Sequence, residues 1–334
     1  MSASPAISVL LPFHNAESTL DAALRSIIAQ TWRELEVIAF DDGSEDGSAA
    51  VAARTASADA RIRLFRSPHI GIVAALQASS VVARGAFLAR MDADDVSHPR
   101  RFELQMALMR AQPSLAVCGT RVRIVGATVG PGRRRYERWI NRLTSPEELA
   151  RELFVECPIA HPTFLMRCAA FEAVGGYEDH GWPEDYDLLM RFFLAGLGMG
   201  KTPEVLFEWR ERPGRLSMTD KRYSAASFRA LKRRYLFQTC LSEGRAFWQW
   251  GAGEVGKRWL REWQDRRPEA VIDVHPRKIG RNIHGFRVMA PEQLPCAGEA
   301  FVVAAVGARG ARDEIRLQLA GRGYVELRDF IFVA

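Results

Sequence analysis

The sequence predicts an α/β protein with a mostly parallel sheet and helices on both faces, followed by a smaller α/β unit. Three observations carry this. Short apolar runs alternate with stretches of helical spacing, acidic or polar residues follow those runs, and a glycine-rich turn opens a second strand–helix series near residue 251. A strand followed by a helix returns to the same sheet in the same direction, which makes successive strands parallel.

Ile7–Leu11 is an apolar run of buried-strand length, and Leu20, Leu24, Ile27 and Ile28 then recur at helical spacing. Glu36–Phe40 is the next strand. It runs into Asp41-Asp42-Gly43-Ser44, residue types that make turns and cap helices. Ile62–Phe65 and Ala86–Met91 are two further strands. Gly126–Arg135 reads as a Gly- and Arg-rich loop, and the chain from there to about Tyr235 reads as more helical. A second series follows: a strand near Phe247, the turn Gly251-Ala252-Gly253-Glu254-Val255-Gly256, a helix through Trp263, and strands at Ala270–Val274 and Phe301–Val306. The expected division is a large domain over 1–238 and a small Rossmann-like domain over 239–334.

Composition narrows the class. With 334 residues, 48% of them hydrophobic, the chain can bury a full core, and 26% charged residues is ordinary for a soluble protein. No apolar stretch approaches the roughly 20 residues of a membrane helix, and Met1–Ala6 is not followed by a signal-peptide core. Five scattered cysteines without a CxxC pair suit reduced thiols, so a cytoplasmic location is expected. The net charge of +6 concentrates at Arg133–Arg135 and in Lys221–Arg234. Signs are mixed elsewhere, so no nucleic-acid partner is expected. In Tyr223–Leu236, Phe228, Leu231 and Tyr235 share a face among Arg229, Lys232, Arg233 and Arg234. That face implies either burial against the large domain or peripheral contact with the inner face of a membrane.

In open parallel sheets, ligands sit beyond the carboxyl ends of the strands. The rule selects Pro12–Asn15, Asp41-Asp42 and Asp92–Asp95. The three carboxylates of Asp92, Asp94 and Asp95 repel one another unless a cation or hydrogen-bond donors compensate. Mn2+ or Mg2+ would suit such oxygens and would neutralise a diphosphate; a solvated turn capping the next helix suits them equally. Glu184-Asp185 precedes apolar Leu188, Leu189 and Phe192, as acids at a helix start do.

The segments Ile7–Asn15, Ser26–Thr31, Asp41–Ser44, Arg90–Asp95, Ala160–Thr163, Gly175–Tyr177 and Glu184–Leu188 together resemble family 2 glycosyltransferases, in that family's order and approximate spacing over about residues 6–218. The resemblance implies the GT-A fold, an inverting reaction and a nucleotide-diphospho-sugar donor. It places Pro12, His14, Asn15 and Asp42 at the donor nucleotide, Asp92 and Asp94 at a divalent metal and the diphosphate, and Asp185 as the base acting on a glycan or lipid-linked acceptor. Surface polysaccharide or glycan assembly is the implied role. Two positions depart from the family: His14 stands where an aromatic is frequent, and Arg212 where a histidine is frequent. Arg212 cannot ligate a metal but can pair with a diphosphate.

Gly251, Gly253 and Gly256 have the GxGxxG spacing after a strand and before a helix, and Asp273 ends the next strand, a candidate nucleotide site. The small domain also resembles Rossmann-like units attached to sugar-modifying enzymes, which implies an ancillary role. Two rival functions stay open. An NAD(P)-linked oxidoreductase would use the glycine turn, whereas a non-catalytic nucleotide-sugar-binding protein would have no use for Asp185.

Overall fold

The structure is a computed structural model that describes residues 5–127, 129–212, 214–263 and 266–334. Its contacts divide the chain into two units, Met1–Leu149 with Pro158–Asp220, and Ala150–Cys157 with Lys221–Ala334. The boundary falls before the expected one at 238/239.

The first unit opens with β1 (Ile7–Phe13), α1 (Leu20–Ile28), β2 (Leu35–Asp42), α2 (Ser48–Ala58), β3 (Ile62–Ser67), α3 (Ile72–Val81) and β4 (Phe87–Arg90). It continues through β5 (Val96–Ser97), α4 (Arg101–Ala111), β6 (Leu115–Val125), α5 (Pro131–Arg142) and α6 (Pro146–Glu152). After residues 150–157 come β7 (Leu165–Arg167), α7 (Cys168–Ala173), α8 (Glu184–Leu194), β8 (Gly198–Arg210) and α9 (Leu216–Thr219). Among the described residues these strands form one eight-stranded sheet, in the order β3-β2-β1-β4-β7-β6-β8-β5. Strands β3, β2, β1 and β4 are parallel, as expected from strand–helix alternation. β7 is antiparallel to both neighbours, and β5 is antiparallel to β8.

β1 and β2 are buried along their whole length. A strand covered on both faces reads as a continuous apolar run, which is why these were visible in the sequence. The stretch read as more helical holds β7 and the 13-residue β8. β8 contains Gly198, Gly200 and Pro203, and its pairing with β6 shifts register at three points, so its sequence carries no clean alternation. The Gly- and Arg-rich loop ends earlier than expected, because Pro131 is preset for the first helical turn and starts α5.

The second unit consists of 150–157, then α10 (Ala225–Gln238), β9 (Phe247–Trp250), α11 (Glu254–Glu262), β10 (Val271–Ile272), β11 (Asn282–Ile283), β12 (Phe286–Met289), β13 (Phe301–Ala304), α12 (Ala311–Gly321) and β14 (Phe330–Phe332). Its sheet runs β11-β12-β10-β9-β13-β14 and is parallel except for the β11–β12 hairpin. Helix α10 belongs here because its charges and buried residues find their partners here. Arg229 pairs with Glu262 at 2.8 Å, and the buried Lys232 donates to the carbonyls of Val155 and Val333. Burial pushes the Lys232 ammonium down to about 8. Leu231, Tyr235 and Leu236 are buried and Phe228 is half-buried, and the helix belongs to the second unit rather than being buried against the large domain as expected. Segment 150–157 is held by Glu152, which receives Arg312 at 2.6 Å and Arg316 at 3.1 Å. Among the described residues, no helix is long and apolar enough to cross a membrane.

The glycine turn of this unit is shaped by packing. A Cβ on Gly256 would lie 2.0 Å from the Gly251 carbonyl oxygen, whereas one on Gly253 would meet nothing nearer than Lys278 Nζ at 4.0 Å. Gly256→Ala is therefore expected to lower stability by about 1–3 kcal/mol, as overpacking against fixed backbone does. Gly253→Ala, which only replaces the glycine at the α11 N-cap, should cost less, about 0.5–1 kcal/mol. Urea unfolding followed by tryptophan fluorescence measures both; equal losses would refute the packing argument.

Candidate active site

The loops after β1 and β2 are tied to each other before any ligand is considered. Asn15, at φ 49°, accepts the Glu45 N–H on its side-chain oxygen and donates its own backbone N–H to Ser44 Oγ. Ser48 Oγ accepts the Ala16 N–H, and Asp41 accepts the Ser44 N–H. Asp42, 4% exposed, accepts the N–H groups of Ile70 at 2.7 Å and Gly71 at 3.0 Å, one on each carboxylate oxygen. It thereby fixes the turn between β3 and α3. Pro12 is buried in β1, opposite Phe40 of β2.

Two histidines stand over this frame. His14 and His69 are exposed and stack with ring centroids 4.3 Å apart. Both turn Nδ1 to the Asp42 carbonyl oxygen, at 2.8 and 3.1 Å. A carbonyl only accepts, so both rings carry a proton on Nδ1. His14 Nε2 is then free to accept from the Asn15 side-chain NH2 at 3.1 Å. His69 was not singled out in the sequence, because its link to Asp42 exists only across the sheet.

After β4 the chain turns sharply, with Asp95 N–H on the Asp92 carbonyl, and this gathers three carboxylates. One oxygen from each of Asp92, Asp94 and Asp95 lies within 4.8 Å of the others. Each is braced differently. Asp92 meets Arg90 at 2.6 Å, Asp94 meets Arg212 at 2.6 Å, and Asp95 accepts the Arg210 backbone N–H at 2.7 Å. Arg210 and Arg212 arrive there because β5 pairs with Phe207–Glu208 of β8. Asp95 is fully buried, and among the described residues its Oδ2 has no hydrogen-bond partner. Burial, with the neighbouring charges of Asp92 and Asp94, pushes its carboxyl well above the usual range. A buried orphan oxygen beside two further carboxylates is the donor set a hard divalent cation requires, so these residues fit one. Asp95 extends the expected metal set of Asp92 and Asp94.

Arg90 links the acidic turn to helix α8. Its side chain is 3% exposed, donates to the Met91 carbonyl and pairs with Asp92, and it lies in the fields of Glu184 and Tyr177. Its charged form is favoured despite burial, chiefly by Asp92. Tyr177 in turn feels Arg90, Glu184, Asp185 and Asp92, and burial pushes its hydroxyl up. Asp185 is half-buried in the first turn of α8, where its Oδ1 accepts the Tyr186 N–H at 2.8 Å. His161 lies 2.8 Å from the Tyr177 hydroxyl through Nε2 and 3.7 Å from Glu184 through Nδ1. A proton on Nδ1 faces the carboxylate and leaves Nε2 to accept from Tyr177. The structure thus brings together Asp92, Asp94, Asp95, Arg90, Arg212, Tyr177, His161 and the start of α8, and separately His14, Asn15 and Asp42 at the neighbouring strand ends.

In the second unit, Asp273 is engaged by its own chain. Its carboxylate accepts the Ala252 N–H at 2.8 Å, the His275 N–H at 2.9 Å and Lys278 Nζ at 2.9 Å. Burial opposes its charge, but those hydrogen bonds hold the carboxyl below its usual range.

A parallel β3-β2-β1-β4 half-sheet carrying acidic turns at its carboxyl ends, extended by mixed strands, defines a GT-A glycosyltransferase. The sequence model of glycosyl transferase family 2 matches residues 8–175, and the chain belongs to that family. EpsE of Bacillus subtilis (strain 168), named as a glycosyltransferase, is 32% identical over 216 residues, 63% of this chain and 75% of that one. The amylovoran biosynthesis glycosyltransferase AmsE of Erwinia amylovora is 29% identical over 206 residues, 61% of this chain and 75% of the relative. Among solved structures, S. aureus TarS 1–349 in complex with UDP-GlcNAc superposes with a TM-score of 0.57 at 15% identity, covering 78% of this chain and 73% of TarS 1–349. The mannosyltransferase PcManGT of Pyrobaculum calidifontis, in complex with GDP-Man and Mn2+, gives 0.51 at 17% identity, covering 71% and 63%. At these identities the two structures speak to the fold.

The site generates a pH prediction. Burial and the Arg90 charge hold His161 well below its ordinary value of 6.5. Below pH 6.5 the unfolded chain takes up a proton that the folded protein refuses, so stability falls as pH drops from there towards the depressed folded value. The slope is about 1.4 kcal/mol per pH unit for one proton. His161→Gln, which retains a partner for Tyr177, should flatten that part of the decline. Urea midpoints of both proteins at several pH values between 7.5 and 5 give the comparison, and identical slopes would remove His161 as the cause.

Proposed function

We propose that this glycosyltransferase moves a sugar from a nucleotide-diphosphate donor to an acceptor hydroxyl with inversion, using Asp185 as the general base. The observation that carries the reading is that His161, 2.8 Å from the Tyr177 hydroxyl and 3.7 Å from Glu184 at the α8 start, sits three residues before Phe164, whose carbonyl accepts the backbone N–H of the Arg90 that pairs with Asp92. His14 and His69 form a stacked surface for the donor base, beside the loops braced by Asn15 and Asp42. Asp92, Asp94 and Asp95 would hold Mn2+ or Mg2+, which when bound neutralises the charge on the departing diphosphate. Arg212, the exposed guanidinium of the acidic turn, contributes a bidentate phosphate partner.

On this reading the acceptor oxygen attacks the anomeric carbon from the side opposite the diphosphate, and Asp185 removes its proton as the bond forms. The helix start holds the carboxylate in place through the Tyr186 N–H. A relative named for amylovoran biosynthesis supports a role in glycan assembly. The TarS complex with UDP-GlcNAc and the PcManGT complex with GDP-Man and Mn2+ support a nucleotide-sugar donor and a divalent metal. The second unit is read as ancillary. The acid that a dinucleotide ribose would need is occupied by Ala252, His275 and Lys278, which leaves an NAD(P)-linked reaction without its recognition group.

Asp185→Asn keeps size and polarity but removes the proton acceptor. Transfer should fall by roughly 10²–10⁴-fold with little change in donor affinity. Asp92→Asn and Asp94→Asn should weaken both metal-dependent donor binding and transfer. Calorimetric donor titration, the melting temperature and a transfer assay on each variant separate these patterns. A folded Asp185→Asn protein with near wild-type transfer would show that the base lies elsewhere.

A further inference from the structure

We infer that Arg212 is an exchangeable counter-cation: it holds Asp94 while the site is empty and passes to the donor diphosphate when a divalent cation takes that carboxylate. The inference rests on the reading of Asp92, Asp94 and Asp95 as a cation site.

The first support is where Arg212 sits. β5–β8 pairing and the bond from Arg210 N–H to Asp95 bring the end of β8 against the acidic turn. Two residues further on, Arg212 Nε reaches Asp94 Oδ2 at 2.6 Å. The guanidinium therefore occupies an oxygen of the carboxylate set that a cation would use. A divalent ion and a guanidinium repel each other, so binding of one at Asp94 weakens the other.

The second support is the contrast with neighbouring arginines. Arg90 is 3% exposed and locked to Asp92 and the Met91 carbonyl, so it cannot leave. Arg133 and Arg215 lie over the Trp209 ring, at 5.0 and 5.1 Å, and pair with Glu211. Arg212 is 47% exposed, lies beyond the last paired residue of β8, and has an ion pair with a carboxylate that is itself 14% exposed. An ion pair of that exposure is weak enough to be exchanged. Once released, the planar fork matches two phosphate oxygens, and the charges stay balanced. The divalent ion replaces Arg212 among the carboxylates, and Arg212 then meets the added negative charge of the diphosphate.

The test compares wild type, Arg212→Ala, Arg212→Lys, Asp92→Asn and Asp94→Asn. Mn2+ binding to metal-free protein without nucleotide is followed by the electron paramagnetic resonance signal of free Mn2+. Arg212→Ala should bind Mn2+ about three- to tenfold more tightly than wild type, as loss of a competing ion pair predicts. Arg212→Lys, which keeps the charge, should stay near wild type. In EDTA, wild type should bind UDP or GDP measurably by calorimetry, and Arg212→Ala about tenfold more weakly. Unchanged or weaker Mn2+ binding by Arg212→Ala, while Asp92→Asn loses it, would overturn the exchange and leave the cation site standing. Wild-type Mn2+ affinity in both Asp92→Asn and Asp94→Asn would instead overturn the cation site itself. Equal metal-free nucleotide binding by wild type and Arg212→Ala, or none by wild type, would overturn the transfer to the diphosphate.

Discussion

The guanidinium of Arg90, buried directly behind the acidic turn, is the constraint around which the site is arranged. Taking such a charge out of water costs several kcal/mol unless partners surround it. Here the partners are the carboxylate of Asp92, the carbonyl of Met91 and the charge of Glu184. Met91 and Asp92 lie in the turn after β4 and Glu184 in α8, so the cost of burying Arg90 is met only when that turn and α8 have docked. Arg101, also buried, holds the other side of the strand by donating to the Arg90 carbonyl at 3.0 Å. Asp92 therefore does not depend on a bound cation for its direction. It is aimed by a charge that cannot move.

The acidic turn divides its labour because its three acids differ in exposure. Asp95 is sealed, has one oxygen without a hydrogen-bond partner among the described residues, and carries the raised carboxyl. Asp94 is paired with an exposed arginine, Arg212. Asp92, fixed from behind, sets direction. Arginines compensate Asp92 and Asp94, whereas Asp95 receives only the Arg210 N–H; that N–H and Arg212 come from the far edge of the sheet.

How much of this could be read from the chain depends on how local each feature is. β1 to β4 are continuous apolar or half-apolar runs, and the loops after β1, β2 and β4 follow from the rule that ligands sit beyond the carboxyl ends of parallel strands, whereas the loop after β3 does not stand out. β8 was not, because Gly198, Gly200 and Pro203 hide a strand whose register with β6 is decided by tertiary pairing. The acids at 92, 94 and 185 announce themselves by position after a strand or before a helix. His69 and Arg90 do not, since the first gains meaning from the Asp42 carbonyl and the second from residues about ninety positions away. The placement of α10 was equally non-local, being set by Glu262, Val155 and Val333. The glycine turn keeps the spacing of a phosphate-binding loop: Gly251 and Gly256 are required by backbone closeness, Gly253 borders open space, and Asp273 accepts hydrogen bonds from its own unit.

The eight residues 150–157 leave the first unit and are held in the second by Glu152 and by the Val155 carbonyl on Lys232, after which the chain returns to build β7, α8 and β8. The two units are consequently interleaved along the gene and cannot be parted by one cut. On the ribosome, this short excursion emerges long before α10 and α12 exist to receive it. Its partners Lys232, Arg312 and Arg316 are all made after β7 and β8. Recombination that swapped everything after residue 220 would have to bring a matching 150–157 with it, which ties the inheritance of the two units together more tightly than a simple linker would.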